Sequence, residues 1–437
     1  MATHPQVGPL VIQRGDGIYV EDDQGRRYLE AMAGLWCASL GFSNQRLAQA
    51  GATALRTLPY YHTFNHRSNP AAIEVAERLL ALAPVPMSKV FFANSGSEAN
   101  DTAVKLIWYY HNAIGKPAKK KIIARRGAYH GVTVAAASLT GLPGNHRDFD
   151  LPIDRILHVD CPHHYRYGLP GESEEAFATR LADALEARIL EEGADTVAAF
   201  FAEPLMGAGG VIVPPATYFE KVQAVLRKYD VLLVADEVIC GFCRTGEMFG
   251  STTFGLQPDI LTAAKALSSG YVPISAVMIS DKLHRPIAAR SGEIGTFGHG
   301  YTYSGHPVAA AVALETLKIY EEENTLQHVR MLAPRLQQGL RAFAARPLVG
   351  EVRGVGLIGA IELVADKASR QPFDPAKKTG ARLAQLALEQ GLIVRAMGDA
   401  VAFCPPLIIS GAQIEEMFQR FGRALDALEL ETAAAPR

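Results

Sequence analysis

The chain has 437 residues, 49% of them hydrophobic, which is enough to bury a large core and more than a single core usually accommodates, so two domains are expected. A formal net charge of −2, from 43 basic and 45 acidic residues, supplies no basic field for nucleic acid or for an anionic membrane. Met1 to Gln6 lacks the charged and apolar regions of a signal peptide and no apolar run reaches the ~18 residues of a membrane span, so a cytoplasmic protein is expected.

In chain order, Ile18 to Leu29 reads as a hairpin, two apolar runs around an Asp-rich turn closed by Gly25. From Val90 to Asp101 a short apolar run breaks into a small-residue turn and then a helical pattern, with Ala99, Ala103, Leu106, Ile107 and Tyr110 on one face. Ser95 and Glu98 have capping-box spacing, which starts the helix here. Amides exposed at that start, with Gly96 permitting close approach, could receive a phosphate, although Ser-Gly-Ser is also an ordinary turn. Tyr129, in Tyr129-His130-Gly131, offers a ring that could stack on a flat cofactor or belong to the core.

Cys161 to Ser173, rich in Pro, Gly, His and Tyr, reads as a long surface excursion, and His163 and His164, like His62 and His66, as loop or surface histidines. Phe177, Leu181, Leu185 and Ile189 mark a helix ended by Gly193, Thr196 to Ala202 is strand-like, and Phe219, Val222, Val225, Leu226 and Tyr229 mark the next helix. It feeds the apolar run Val231 to Val238. Strand and helix in repetition imply a mostly parallel α/β sheet.

Asp236 ends an all-apolar strand and so points out of the carboxyl edge of that sheet, where open α/β folds bind ligands. It suits a helix cap or ion pair, or a carboxylate that holds a proton on the pyridine nitrogen of a cofactor. Cys240-Gly241-Phe242-Cys243 is a CxxC, but no second CxxC or spaced His pair completes a zinc site, so no metal is expected. Five cysteines without a regular framework read as reduced thiols. Lys265, in Pro258 to Leu267, could trap a carbonyl as a Schiff base if burial lowers its pKa, though a lone lysine there is more often a solvated strand end. Beyond about residue 325 the pattern becomes α+β, with strands at Gly354 to Leu363 and Leu392 to Ala396 and helices at Lys377 to Glu389 and Ala412 to Leu430. Residues 1–60 and 326–437 are therefore expected to form a small α+β domain beside a large α/β domain of residues 61–325.

Taken in order, Asn94-Ser-Gly-Ser-Glu-Ala-Asn-Asp101, Tyr129-His-Gly131, Glu203-Pro204, Asp236-Glu-Val238 with Gly241-Phe-Cys-Arg-Thr-Gly246, Lys265, and Tyr301-Thr-Tyr-Ser-Gly-His-Pro307 resemble the class III pyridoxal-phosphate-dependent aminotransferases, from about Gly15 to the last helix. Gly34-Leu-Trp-Cys37, Ala264 to Tyr271 and Arg395 to Asp399 resemble the omega-transaminases that pair amines with pyruvate.

The resemblance implies a fold-type I pyridoxal-phosphate transferase with its cofactor bound to Lys265 as a Schiff base. Asp236 would stabilise the protonated pyridine, Val238 and Tyr129 would flank the ring, Glu203 would lie near its substituents, and Gly96 and Ser97 would hold the phosphate. Thr302 would reach the phosphate of the neighbouring subunit, which implies a homodimer with shared active sites, alone or as a pair of dimers. The implied reaction moves an amino group from a primary amine or omega-amino acid to a keto acid, pyruvate, by a ping-pong mechanism.

Trp36, Phe64 and Tyr129 would line the amine pocket and Arg395 would bind the keto-acid carboxylate. Taken alone, Trp36 and Phe64 read as core aromatics, Arg395 as an exposed ion pair, and Arg244 as a structural one. The alternatives on the same scaffold are an aminomutase, racemase or decarboxylase, or an aminotransferase using 2-oxoglutarate. The farther alternative is a cofactor-binding protein without catalysis, for which the sequence shows no DNA-binding module.

Overall fold

A computed structural model describes residues 7–434, so the reading of Met1 to Gln6 lies outside the described residues. The chain forms two compact units. One takes the chain up to Gln45 and again from Arg330 onward; the other runs Arg46–Val329. The helix Gln45–Thr57, which the sequence reading grouped with the N-terminal segment, belongs almost wholly to the larger unit. Arg46 ties it there by ion pairs of 2.7 Å to Glu315 and to Glu322.

In the smaller unit the N-terminal strands are β1 (Ile12–Asp16), β2 (Tyr19–Asp22) and β3 (Arg27–Glu30). The expected hairpin is β2 and β3, with Asp22 accepting from the Gln24 and Arg26 amides to close the turn.

The larger unit carries β4 (Lys89–Ala93), β5 (Lys121–Arg125), β6 (Ile156–Val159), β7 (Val197–Ala202), β8 (Leu232–Asp236), β9 (Ile260–Ala263) and β10 (Ser275–Ile279). They form one sheet in the order β4-β10-β9-β8-β7-β5-β6, parallel except that β10 runs against both its neighbours. Side chains alternate across it. On β8, Leu232 and Val234 pack against helix Gly96–Ala113, while Leu233 and Ala235 pack against helices Glu174–Glu192 and Tyr218–Lys228. A sheet covered on both faces explains why these strands read as continuous apolar runs. The alternation also decides where Asp236 points: two residues after Val234, it faces the Gly96–Ala113 side.

The rest of the smaller unit contains β11 (Val349–Val355), β12 (Ile358–Leu363), β13 (Leu392–Ile393), β14 (Arg395–Met397) and β15 (Ala400–Phe403). Gly354 to Leu363, expected as one strand, splits into a hairpin of β11 and β12, because Gly356 turns the chain at φ +56°. Leu392 to Ala396 also divides: β13 pairs in parallel with β3, whereas β14 pairs with β15 in a second sheet. Both breaks fall inside apolar runs, which carry no periodic mark of a turn.

The excursion Cys161 to Ser173 folds back on the larger unit. His163, expected near the surface, is buried, and His164 packs its ring 5.4 Å from Phe177 while its Nε2 lies 2.8 Å from the Glu172 carbonyl. Cys240 and Cys243 are both buried and unbridged. Burial drives the Cys240 thiol pKa well up, which leaves it a small apolar side chain. Among the described residues no helix is long and apolar enough to cross a membrane.

Candidate active site

Asp236 ends β8 with 3% of its surface exposed. A carboxylate in that position needs compensating donors. Its Oδ2 accepts from Asn100 Nδ2 at 2.8 Å and lies 2.8 Å from His130 Nδ1, and its Oδ1 accepts from the Val238 amide at 3.1 Å. Oδ1 thus keeps acceptor capacity. Glu237, the next residue, faces the other way: its carboxylate accepts from the Gly250 and Ser251 amides, and burial pushes its pKa up to about 7. Two adjacent acids therefore have distinct tasks, one at the sheet edge and one holding the start of the short helix Gly250–Phe254.

Helix Gly96–Ala113 begins beside Asp236. Ser95 caps it by accepting from the Glu98 amide at 3.2 Å. Glu98 reaches one residue farther back than a standard capping box, to the Asn94 amide at 2.7 Å. The Gly96 and Ser97 amides are left at the positive end of an 18-residue helix. Glycine is required around it: a Cβ on Gly96 would lie 3.1 Å from Val238, and one on Gly131, at φ +134°, would lie 2.4 Å from Ser97 Oγ.

Tyr129 follows β5, and its amide donates to Glu203 Oε1 at 3.0 Å, while the Gly207 amide donates to Oε2 at 2.9 Å. Burial raises the Glu203 pKa, and the hydrogen bond from the Tyr129 amide and the Arg125 guanidinium oppose that rise. Arg125 is fully buried at the end of β5, donating from Nη2 to the Glu203 carbonyl at 2.6 Å with its guanidinium over the Phe219 ring.

Lys265 stands two residues past β9 and is partly buried. Its φ is +47°, a region that non-glycine residues seldom occupy, and the amides of Ser268 and Gly270 bond its carbonyl at 3.2 Å each. β8 and β9 are parallel neighbours with Asp236 in register with Thr262, so the acid and the lysine leave the same sheet edge from adjacent strands. A buried acid, a helix N-terminus and an amine at the carboxyl edge of a parallel sheet suit an anionic heteroaromatic ligand with a reactive carbonyl.

The sequence profile of the family Aminotransferase class-III matches residues 1–425. The chain is a class III aminotransferase. It is 53% identical over 428 residues to gamma-aminobutyrate transaminase 1, mitochondrial, of Oryza sativa subsp. indica, covering 98% of this chain and 83% of the relative. It is 51% identical over 422 residues to the vanillin aminotransferase of Capsicum chinense, covering 96% and 92%. Its structure matches the omega transaminase of Pseudomonas jessenii in complex with PMP at a TM-score of 0.98 and 59% identity, covering 100% of this chain and 96% of that one.

The aminotransferase is thus a fold-type I enzyme that uses pyridoxal phosphate and acts on small-molecule amines and keto acids. The residues present fit that cofactor. Asp236 keeps an acceptor site on Oδ1, Val238 abuts Gly96, and glycine at 96 and 131 leaves the helix start open for a phosphate.

Gly96, Ser97, Tyr129, Glu203, Asp236, Val238 and Lys265 all belong to the larger unit. Trp36 and Arg395 belong to the smaller one. Trp36 is buried at φ +66°, at the end of the short kinked helical segment Ala33–Trp36, where the Met32 and Gly34 amides donate to the Glu30 carboxylate. Arg395 lies on β14, partly buried and without an ion pair among the described residues, contrary to the plain reading of an exposed pair.

Phe64 is exposed and borders a cavity of about 470 Å³ together with Phe91, Phe92, His299 and Gly300. None of the residues at the Lys265 edge lines that cavity. Thr302 is exposed, its carbonyl accepting from Tyr60 at 3.0 Å. Asn100, His130, Thr262 and Arg125 received no role from the sequence. The first three sit inside or beside quoted motifs, but only the three-dimensional pairing of strands shows what they touch.

Proposed function

We propose that this aminotransferase moves the amino group of a primary amine or omega-amino acid to pyruvate in two half-reactions at one site. The observation that carries this reading is the match at TM-score 0.98 to a protein described as an omega transaminase in complex with PMP, combined with Asp236 and Lys265 on adjacent parallel strands. Pyridoxal phosphate, when bound, draws into its ring the electron pair that a departing proton leaves on the substrate carbon. The Lys265 amine takes that proton from the amine-bearing carbon and returns it on the far side of the transfer, so one residue serves as base and acid. Asp236 Oδ1 holds a proton on the ring nitrogen. Gly96 and Ser97 amides bind the phosphate, while Val238 and Tyr129 flank the ring and Glu203 anchors the Tyr129 amide.

Arg395 is assigned to the keto-acid carboxylate, because a planar guanidinium binds it with two parallel hydrogen bonds. Its lack of an ion pair among the described residues supports that role. Trp36 and Phe64 are assigned to the amine pocket. The exposure of Phe64, Tyr60, Tyr61 and Tyr303 beside Thr302 supports a homodimer in which Thr302 and Phe64 serve the neighbouring subunit's site. Relatives named for gamma-aminobutyrate favour an omega-amino acid donor.

A panel of beta-alanine, gamma-aminobutyrate, a diamine and an aryl-alkyl amine, each run against pyruvate and 2-oxoglutarate, tests the assignment. Turnover with pyruvate at least about tenfold above 2-oxoglutarate is expected. The reverse order would replace the acceptor.

A further inference from the structure

In the larger unit, Asn100 has both amide hydrogens and its oxygen engaged, and the motif reading gave it no task. It lies fully buried in the first turns of helix Gly96–Ala113. Its Nδ2 donates both hydrogens, to Asp236 Oδ2 at 2.8 Å and to the His130 carbonyl at 2.7 Å, and its Oδ1 accepts from Thr262 Oγ1 at 3.0 Å. The amide orientation follows from chemistry: reversed, its oxygen would face a carboxylate and a carbonyl.

The fold makes this junction by register. Thr262 pairs with Asp236 across β8 and β9, each two residues beyond an apolar neighbour, Ile260 and Val234, that packs toward the same helix. Asp236 and Thr262 therefore both face Asn100.

We propose that Asn100, buttressed by Thr262, is a positioning residue that fixes the Asp236 carboxylate so that its Oδ1 faces the cofactor's ring nitrogen. The inference rests on the reading of Asp236 given above. Occupying Oδ2 with Asn100 and His130 leaves one oxygen for the ring, and a carboxylate clamped at one oxygen cannot rotate to satisfy itself elsewhere. Asn100 also fixes the His130 carbonyl, which sets the course of Tyr129 to Gly131 past the helix start.

The test is cofactor affinity of the full-length enzyme, freed of cofactor and titrated with pyridoxal phosphate and with its carbocyclic analogue, which has carbon in place of the ring nitrogen. The ratio of the two affinities reports only what acts through that nitrogen. Asp236→Ala should bring the ratio close to one. Asn100→Leu, nearly isosteric, should lower the wild-type ratio roughly tenfold, as expected for hydrogen bonds to a charged group, and Thr262→Val by roughly twofold to threefold.

Equal weakening of both ligands by Asn100→Leu would mark Asn100 as a packing residue and overturn the inference, as would no weakening of either. If Asn100→Leu does not fold, Thr262→Val decides, an unchanged ratio being the overturning result. An unchanged ratio in Asp236→Ala would instead overturn the reading of Asp236 itself, and the role of Asn100 with it.

Discussion

At the scale of single residues, Arg395 carries the sharpest consequence. A site that takes an apolar amine in one half-reaction and a carboxylate in the other cannot leave a guanidinium buried against the apolar group, since an unpaired buried charge is costly. In its proposed role, the side chain would pair with pyruvate and turn away from an aryl-alkyl amine. Arg395→Ala should therefore lose roughly 30-fold to 1000-fold in the second-order rate of the pyruvate half-reaction, equivalent to about 2 to 4 kcal/mol, and far less in the amine half-reaction. Stopped-flow measurement of each half-reaction shows the difference, and equal losses in both would make Arg395 a support of the fold.

Glu30 gives a second residue-scale expectation. Burial pushes its carboxyl up to about 8, only partly offset by the Gly34 and Met32 amides. Because the folded pKa exceeds the unfolded one, the folded protein binds this proton more tightly. That stabilisation is complete below the unfolded pKa, shrinks as pH rises toward 8, and is gone above it. The melting temperature should fall between about pH 5 and pH 8.5, and Glu30→Gln should flatten the fall. An identical slope in the variant would show that Glu30 titrates as an ordinary carboxyl.

At the scale of elements, the helix Gly96–Ala113 matters through its first turn, and the loop ending at Gly131 lies directly on it. Gly131 has φ +134° and its added Cβ would meet Ser97 Oγ at 2.4 Å and Ser97 Cα at 2.8 Å, so Gly131→Ala must displace either the helix start or the loop. Its cofactor dissociation constant should rise at least about tenfold. Gly144→Ala, with nothing near the added carbon, should leave it unchanged. Equal affinity in both variants would separate Gly131 from the phosphate site.

This is also the scale at which the sequence was most readable. The apolar faces of helices Glu174–Glu192 and Tyr218–Lys228 and the runs of β7 and β8 showed period and length, because burial on both faces leaves a compositional mark. The breaks at Gly356 and between β13 and β14 did not, since both interrupt apolar runs without a polar cluster. The site divided in the same way. Asp236 and Lys265 were visible as charged residues against apolar strands, whereas Asn100 and Thr262 are unremarkable polar residues whose meaning arises from pairing β8 with β9 beneath a helix.

At the scale of the whole molecule, Thr302 tests whether sites are shared between subunits. A mixed dimer of a Lys265→Ala chain and a Thr302→Ala chain has one site with Lys265. If threonine serves the neighbour, that site takes its threonine from the Lys265→Ala chain and is intact, so the cofactor concentration for half-activity should equal that of wild type. A raised requirement, reflecting the loss of one hydrogen bond to a dianionic phosphate, about 1.5 to 3 kcal/mol, would place the contact within one chain.

The central claim is that this chain transfers an amino group by way of Lys265. A single-turnover experiment addresses it most directly: the cofactor-loaded enzyme is mixed with an amine in the absence of any keto acid, and the carbonyl product and the aminated cofactor are counted per site. One equivalent of each is predicted for the wild type, with pyruvate then restoring the starting spectrum and yielding alanine, while Lys265→Ala should retain its fold and be slower by at least about 100-fold. Release of carbon dioxide, a racemised or isomerised amine with no aminated cofactor, or a Lys265→Ala enzyme at near wild-type rate would contradict it.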